Sequence, residues 1–306
     1  MLPFPIVYTP EYELSLGLHV FPAQKYRLIY ERLLQQGLAE PSDFLAPSPA
    51  IDEDVLLVHT RDWVVRLRSG SLSYAQILRM EVPYSEELVK GFWLSAGGSI
   101  LASERALAVG VAVNLCGGFH HAFPDHGEGF CVIHDVAIAV RRVQKDGLLR
   151  RALIIDLDVH QGNGTAAIFA GDPDVFTFSM HQKNNYPFPK PPSTLDINLA
   201  DGVGDEEYLG LLESALPSIF SSFRPELVYY LAGADPYRED QLGGLGLTVE
   251  GLRRRDQLVF EAAIGRGLAV MATLAGGYAR NIEDTVTIHT NTVVALRDAV
   301  QAKGQL

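Results

Sequence analysis

Five stretches of the chain are apolar at consecutive positions rather than at alternate ones: residues 109–115, 152–156, 175–180, 227–232 and 269–274. A strand apolar on both faces is covered on both faces, as in a parallel sheet packed between helices. Between these runs the period changes. Apolar residues recur every three or four positions in 21–36, 85–108, 205–223, 248–264 and 281–300, the spacing of amphipathic helices. Their ends carry helix signals. Pro22 stands at the start of the first and Gly37 stops it, while Ser85 and Thr248 stand where N-caps belong. Strand alternating with helix predicts an α/β fold with a doubly wound parallel sheet.

In open parallel sheets, ligands bind beyond the carboxyl ends of the strands. Each polar cluster of this chain falls there. "NLCGGFHHAF" follows the first apolar run, "DLDVHQGNG" the second, "SMHQKNNYPF" the third, "AGADPYRED" the fourth and "LAGGYAR" the fifth. Five loops are therefore expected to meet on one rim.

Within "DLDVHQGNG", Asp156, Asp158 and His160 occupy alternate positions and project to one face. Two carboxylates so placed repel unless a cation lies between them. Asp158 and His160 read as oxygen and nitrogen ligands of a metal ion, with Asp235 of "GADP" as the third. Three protein ligands with one open position is the pattern of a catalytic site. Zinc accepts this donor mixture, and so does iron(II). The competing reading is that Asp156 and Asp158 cap the helix beginning near "GNGT". Asp156 faces the same way and is assigned to orienting a histidine or binding a monovalent cation.

His120 and His121 of "GGFHHAF" are candidates for the base and acid that a metal-activated water requires. Packing in a turn is their alternative. Tyr278, beside two glycines that let its loop turn sharply, offers a phenol to a carbonyl oxygen becoming an oxyanion. Taken alone, such a tyrosine is more often a packed one. Phe130 in "HGEGFC", and Tyr186 or Phe188 in "NNYPFP", are candidate walls of a narrow channel for an alkyl chain. His19, His59, His126, His134 and His181 are expected to be structural. "GNG" lacks the GxGxxG spacing and later acidic residue of a dinucleotide site.

Composition narrows the class. The 306 residues are 47% hydrophobic and 20% charged, enough for one large core, and no linker, repeat or charge block divides them. One domain over 1–306 is expected. The formal net charge of -12 and the lack of a basic stripe argue against nucleic acid as a partner. The run "RRR" at 253–255 is expected on a solvated helix face. Two cysteines, Cys116 and Cys131, are too few for a disulfide framework and read as buried thiols. No apolar run approaches the roughly 18 residues that span a bilayer. The N-terminus lacks a signal-peptide pattern. A cytoplasmic location without a membrane partner is expected.

"GGFHHA", "GFC", "DLDVHQGNG", "GADP" with "LGGLGLT", and "GGY" stand in the order and approximate spacing of the zinc-dependent histone deacetylase family. That family includes acetoin-utilization proteins and acetylpolyamine amidohydrolases. The chain resembles it from about Pro5 to the final helix. "PIVYTPEY", "HQGNG" and "GDEEYL" look most like its class four branch. The resemblance implies an arginase-like three-layer sandwich with a central, mostly parallel sheet flanked by helices. It implies zinc on Asp158, His160 and Asp235. It implies His121 as general base and later acid, His120 as its electrostatic companion, and Tyr278 as a polariser of the scissile carbonyl. It further implies that the Gly129 carbonyl receives the substrate amide N–H and that Phe130 forms one channel wall. A structural potassium or sodium ion would use Asp156 with backbone oxygens of Asp158, His160, Ser179 and Met180.

The chain departs from the family in two places. "NNYPFP" does not follow the usual segment, so the second wall stays open between Tyr186 and Phe188. Asn163 stands behind His121 where some members carry Asp. A neutral amide stabilises imidazolium less than a carboxylate does, so His121 is expected to be less basic than in those relatives. The expected activity is hydrolysis of the amide of an N-ε-acyl-lysine in a protein or peptide. A small acylated amine such as an acetylpolyamine, or a longer acyl chain, stays open. A non-catalytic acyl-lysine reader would have no need of ligands, histidine pair and tyrosine together. A two-metal ureohydrolase site would need more Asp and His than the rim can be assigned.

Overall fold

The apolar runs become the inner strands of one eight-stranded sheet in which every pairing is parallel. The structure is a computed structural model and describes residues 2–14 and 16–304. In chain order the strands are β1 (Ile6–Val7), β2 (Phe44–Leu45), β3 (Val111–Asn114), β4 (Ala152–Asp156), β5 (Val175–Gln182), β6 (Leu195–Leu199), β7 (Leu227–Leu231) and β8 (Ala269–Thr273). They lie side by side as β2-β1-β3-β8-β7-β4-β5-β6. All five expected strands are present, with ends shifted by up to two residues. β1, β2 and β6 were not expected. The first two are too short to leave a pattern. β6 reads "LDINL" and alternates because it is an edge strand with one face partly open.

Helices flank the sheet. Glu86–Val109 packs on Asp135–Lys145, while Lys25–Gln35, Asp205–Ser222, Val249–Ile264 and Ile282–Gly304 pack as a second group. The caps fall where the sequence puts them. Ser85 Oγ accepts from Leu88 N–H at 3.0 Å and Thr248 Oγ1 from Gly251 N–H at 2.9 Å. Each such cap is worth about 1 kcal/mol. The first helix starts later than expected, at Lys25, because Pro22–Gln24 form a turn before it. Asp135–Lys145 escaped the pattern because it opens on "VAIAV", five consecutive apolar residues that are all buried. One expectation about charge fails. Arg253 and Arg254 reach solvent, but Arg255 is fully buried, since a helix turns about 100° per residue and its third side faces the sheet.

The winding reverses at β4. From there β5 and β6 extend the sheet one way, while β7 and β8 lie the other way. Neighbouring strands whose connections leave in opposite directions open a crevice at their carboxyl ends. Asp156 ends β4, Asp158 and His160 follow it, and Asp235 follows β7. Among the described residues no helix is long and apolar enough to cross a membrane.

Candidate metal centre and active site

Past the ends of β4, β7 and β8 the backbone keeps exchanging hydrogen bonds. Leu157 N–H donates to Leu231 O at 3.1 Å and Ala234 N–H to Gly276 O at 2.8 Å. Arg255 reaches the same place from the helix layer: its Nη1 donates to Gly233 O at 2.6 Å and Leu157 O at 3.2 Å. One buried guanidinium thus ties together the two loops that carry the candidate ligands. These contacts bring Asp158, His160 and Asp235 into one buried group, with one ligand atom from each within 4.8 Å of the others. His160 Nδ1 lies 3.0 Å from Asp158 Oδ1 and 3.4 Å from Asp235 Oδ2.

Backbone donors hold most of the carboxylate oxygens. Val159 N–H donates to Asp235 Oδ1 and Gly276 N–H to Asp158 Oδ2, both at 2.8 Å. Asp235 Oδ2 is buried without a hydrogen-bond partner. Such an oxygen costs about 1–3 kcal/mol or more unless something positive uses it. The space beside it is kept free by a glycine: a Cβ on Gly276 would stand 2.1 Å from Asp235 Oδ2 and 2.5 Å from Asp158 Oδ2. Left to themselves, these groups gather protons. Burial and the neighbouring Asp158 push Asp235 up to about 7. Burial opposes charge on His160, yet Asp158 and Asp235 prevail and raise it to about 10. Two carboxylate oxygens and one imidazole nitrogen, dry and crowded, fit a divalent ion.

The loop after β3 brings the two histidines to the same floor. Asp135 anchors that loop: Phe119 N–H donates to its Oδ1 at 2.9 Å and Gly118 N–H to its Oδ2 at 3.2 Å. His120 Nδ1 pairs with Asp156 Oδ2 at 2.7 Å, and His121 Nδ1 with Asn163 Oδ1 at 2.7 Å. The two rings lie 4.1 Å apart between centroids, yet their charges differ. Burial disfavours charge on His120, but Asp156 and Asp158 outweigh it and raise its pKa to about 9. His121 is held well below the ordinary imidazole value, first by burial and then by His120 and His160; the Asn163 bond pulls the other way. One histidine is therefore a cation and its neighbour a neutral base at neutral pH.

Tyr278 closes the floor. Its N–H donates to Asp240 Oδ2 at 2.7 Å, and its ring meets Phe130 and Phe21 edge-on at 5.9 and 6.2 Å. Burial, then Asp158 and Asp235, raise the phenol well above 10, so it remains a hydroxyl donor. Phe130 has a left-handed φ of +68°, directly after Gly129 at +52°. That costs a bulky residue about 1–2 kcal/mol. It is held there by Phe130 N–H donating to Met80 O at 2.9 Å. Tyr186 stands opposite, its ring 4.9 Å from His121 and 6.3 Å from His160. Glu81, Asn185, Tyr186 and Leu242 line the mouth; His120, Asp158, Gly276 and Cys131 line the floor.

Of the two candidate second walls, Tyr186 reaches the cavity and Phe188 does not. Phe188 is 70% exposed, with Lys190 Nζ 4.5 Å from its ring centre. Gly129 O accepts the Cys131 thiol at 3.4 Å. Both cysteines are buried and free. Asp156 and Ser179 stand in register on β4 and β5, and Met180 follows on β5. His134 caps the helix Asp135–Lys145, and His59 Nε2 accepts from His134 N–H at 2.9 Å. His19 and His126 pack beside residues of the cavity wall. His19 meets Phe130 at 4.9 Å, and His126 Nε2 lies 3.4 Å from Glu128.

Glu128 itself was missed. It accepts from Asn163 Nδ2 at 2.5 Å, Tyr186 Oη at 2.9 Å and Arg79 Nε at 3.1 Å. Burial opposes its charge, but His126, Asn163, Tyr186 and Arg79 prevail and bring it down to about 2. The only hint in the sequence was a carboxylate between two glycines in "HGEGFC".

The sequence model of the histone deacetylase domain matches residues 19–293. An uncharacterised protein of Picosynechococcus sp. is 43% identical over 96% of this chain and 99% of its own length. Histone deacetylase 2 of Arabidopsis thaliana is 31% identical over 92% of this chain and 77% of that protein. A probable deacetylase of Methanothermobacter thermautotrophicus is 31% identical over 89% of this chain and 85% of its own. Among solved structures, an HDAC homologue complexed with SAHA superposes with a TM-score of 0.84 at 27% identity, covering 96% of this chain and 84% of that one.

Proposed function

The chain belongs to the histone deacetylase family, and from that premise we propose that it hydrolyses the amide of an acylated amine, foremost N-ε-acyl-lysine in a protein or peptide. The observation that supports this reading is one cavity floor where Asp158 and His160 of a buried Asp–His–Asp group meet a neutral imidazole, a charged imidazole and a phenol. A zinc ion, or iron(II), held by Asp158, His160 and Asp235 would supply Lewis-acid polarisation of the acyl carbonyl and acidify the water beside it. The remaining work falls to side chains of the chain. His121 Nε2 takes a proton from the attacking water and returns it to the leaving amine. The water oxygen joins the acyl carbon, the C–N bond breaks, and free acid and amine depart. His120, charged against Asp156, stabilises the negative charge that builds on the oxygen. The Tyr278 hydroxyl donates to that oxygen as it gains charge. The Gly129 carbonyl accepts the substrate N–H, and Phe130 and Tyr186 flank its alkyl stem.

The same reading includes a potassium or sodium ion at Asp156, with backbone oxygens of Asp158, His160, Ser179 and Met180. It takes residues 1–306 as one catalytic domain, which the single sheet and single apolar core among the described residues support. It places the chain nearest the class four branch on its motifs. A second reading, preference for a longer acyl chain, is favoured by one feature. An almost wholly apolar cavity lined by Leu14, Leu16, Val82, Leu88 and Phe92 shares Phe119 and Phe130 with the active-site cavity.

The test is release of free acid by the zinc-loaded protein from an acetyl-lysine peptide, acetylspermidine and a long-chain acyl-lysine peptide. Turnover on the first that a chelator abolishes supports the main reading. Preference for the third selects the apolar cavity as an acyl pocket, and preference for the second selects a small amine. No turnover on any of them, with metal bound, overturns the hydrolase reading.

A further inference from the structure

We propose that Glu128 is a positioning residue: it fixes which way round the Asn163 amide lies, and through that amide which nitrogen of His121 carries the proton. The inference rests on the reading of His121 as the general base.

The argument is one of donors and acceptors. A carboxylate behind a histidine can only accept, so it forces the facing nitrogen to carry N–H. An asparagine can present either its oxygen or its NH2. With the oxygen toward His121, Nδ1 bears the proton and Nε2 has a free lone pair for the reacting water. With the NH2 toward His121, Nδ1 must accept, Nε2 bears the proton, and the ring cannot act as a base. The two amide orientations fill the same space, so the choice needs an outside group.

Glu128 is that group. Ionised, it only accepts, and it holds Asn163 Nδ2 at 2.5 Å. The amide oxygen is then left for His121 Nδ1 at 2.7 Å, where Gly164 N–H also donates to it at 3.1 Å. Turning the amide over would lose these bonds, face its oxygen to the carboxylate, and face its NH2 to the Gly164 N–H. Arg79 keeps the carboxylate charged from outside, with Nε 3.1 Å away. The same oxygen that holds Asn163 also accepts from Tyr186 Oη at 2.9 Å. One carboxylate therefore secures both the base and the channel wall beside it. Its flanking glycines make the reach feasible. A Cβ on Gly129 would stand 2.8 Å from His121 Cδ2 and 2.9 Å from Tyr186 Cε1.

A sign change distinguishes this role from ordinary packing. Asn163→Asp in the parent would press two carboxylates together where Asn163 and Glu128 now meet, and should harm turnover. In a Glu128→Ala background the same Asp has no opponent and, as a pure acceptor, needs no orienting partner. It should restore what Glu128→Ala lost. Glu128→Ala is expected to lower kcat about tenfold, the usual lower effect of removing a group that orients a catalytic side chain. Glu128→Gln can keep its amide oxygen toward Asn163 and should lose about threefold less than the Ala variant.

The experiment combines a double-mutant cycle in kcat with 15N NMR of histidine-labelled protein. The expected spectrum has the His121 proton on Nδ1 in the parent and a mixture of both tautomers in Glu128→Ala. Equal kcat losses in Glu128→Ala and Glu128→Gln, an unchanged tautomer in Glu128→Ala, or an Asn163→Asp effect of the same sign in both backgrounds would overturn the proposal. If Glu128→Ala does not fold, the cycle of Glu128→Gln with Asn163→Asp decides it by the same sign. The NMR arm needs no substrate. A protein without deacylase activity that still shows Nδ1–H, and a mixture of tautomers in Glu128→Ala, would reject the function and keep the positioning role.

Discussion

At the floor of the cavity, Asp158, His160 and Asp235 leave strand ends whose hydrogen-bond ladder continues past the strands, with Arg255 tying the two loops behind them. At the mouth, Phe130, Tyr186 and Glu81 stand on loops, and their positions depend on a few side-chain contacts such as Glu128 with Tyr186. The floor is dry and its groups have strongly displaced pKa values; the mouth is part-exposed and lined by rings and an amide. Chemistry that needs groups held to a fraction of an ångström belongs at the first place, and substrate choice belongs at the second. Substitutions at the floor should therefore act on kcat and metal content, and those at the mouth on KM.

The largest expected effect is at the ligands. Asp235→Asn should remove bound metal and lower turnover by about three orders of magnitude or more, since the polarising centre goes with it; metal analysis beside kinetics measures both. Full turnover with metal retained would break the comparison at its base. Tyr278→Phe keeps the ring and metal and removes one donor, so kcat should fall by about 10²–10³ with metal content unchanged. A change in KM alone would move Tyr278 from the floor's chemistry to the mouth's binding.

Next in size is the pH profile. As the proposed base His121 must be neutral, and burial holds its pKa well below 6.5, so the acid limb of kcat should lie below pH 6.5. In the proposed mechanism His120 is charged, so activity should decline as pH rises through about 9. A limb with its midpoint between pH 7 and 8 contradicts both assignments. At the mouth, Phe130→Ala should raise KM by about tenfold while kcat falls far less, since one buried aromatic contact is lost from binding. Phe188→Ala, outside the cavity, should change neither by more than about twofold.

How much of this was legible depended on range. Asp156, Asp158 and His160 could be read because alternation at a strand end is a local property, three residues within five positions. Asp235 and Tyr278 could be read because they follow apolar runs that end on the same rim. Asp135, Glu128 and Arg255 could not. Each acts on a residue 16 or more positions away, Phe119 by Asp135, Asn163 by Glu128 and Leu157 by Arg255. Nothing local separates Arg255 from Arg253 and Arg254 except the helix phase, and that phase matters only once the sheet is beside it. The second wall was open between Tyr186 and Phe188, two residues on one loop. Only the fold turns one of them inward.

By itself, the sequence determined five of the strands and five of the helices in their order, the parallel sheet, and the residue types delivered to its carboxyl edge. Those follow from hydrophobic period and turn chemistry, which act over a few residues. Only the tertiary structure decided the protonation of the two adjacent histidines, the orientation of the amide behind His121, and which ring walls the channel. These depend on burial and on donors and acceptors from distant segments, and a charge or a hydrogen bond is worth what its surroundings make it.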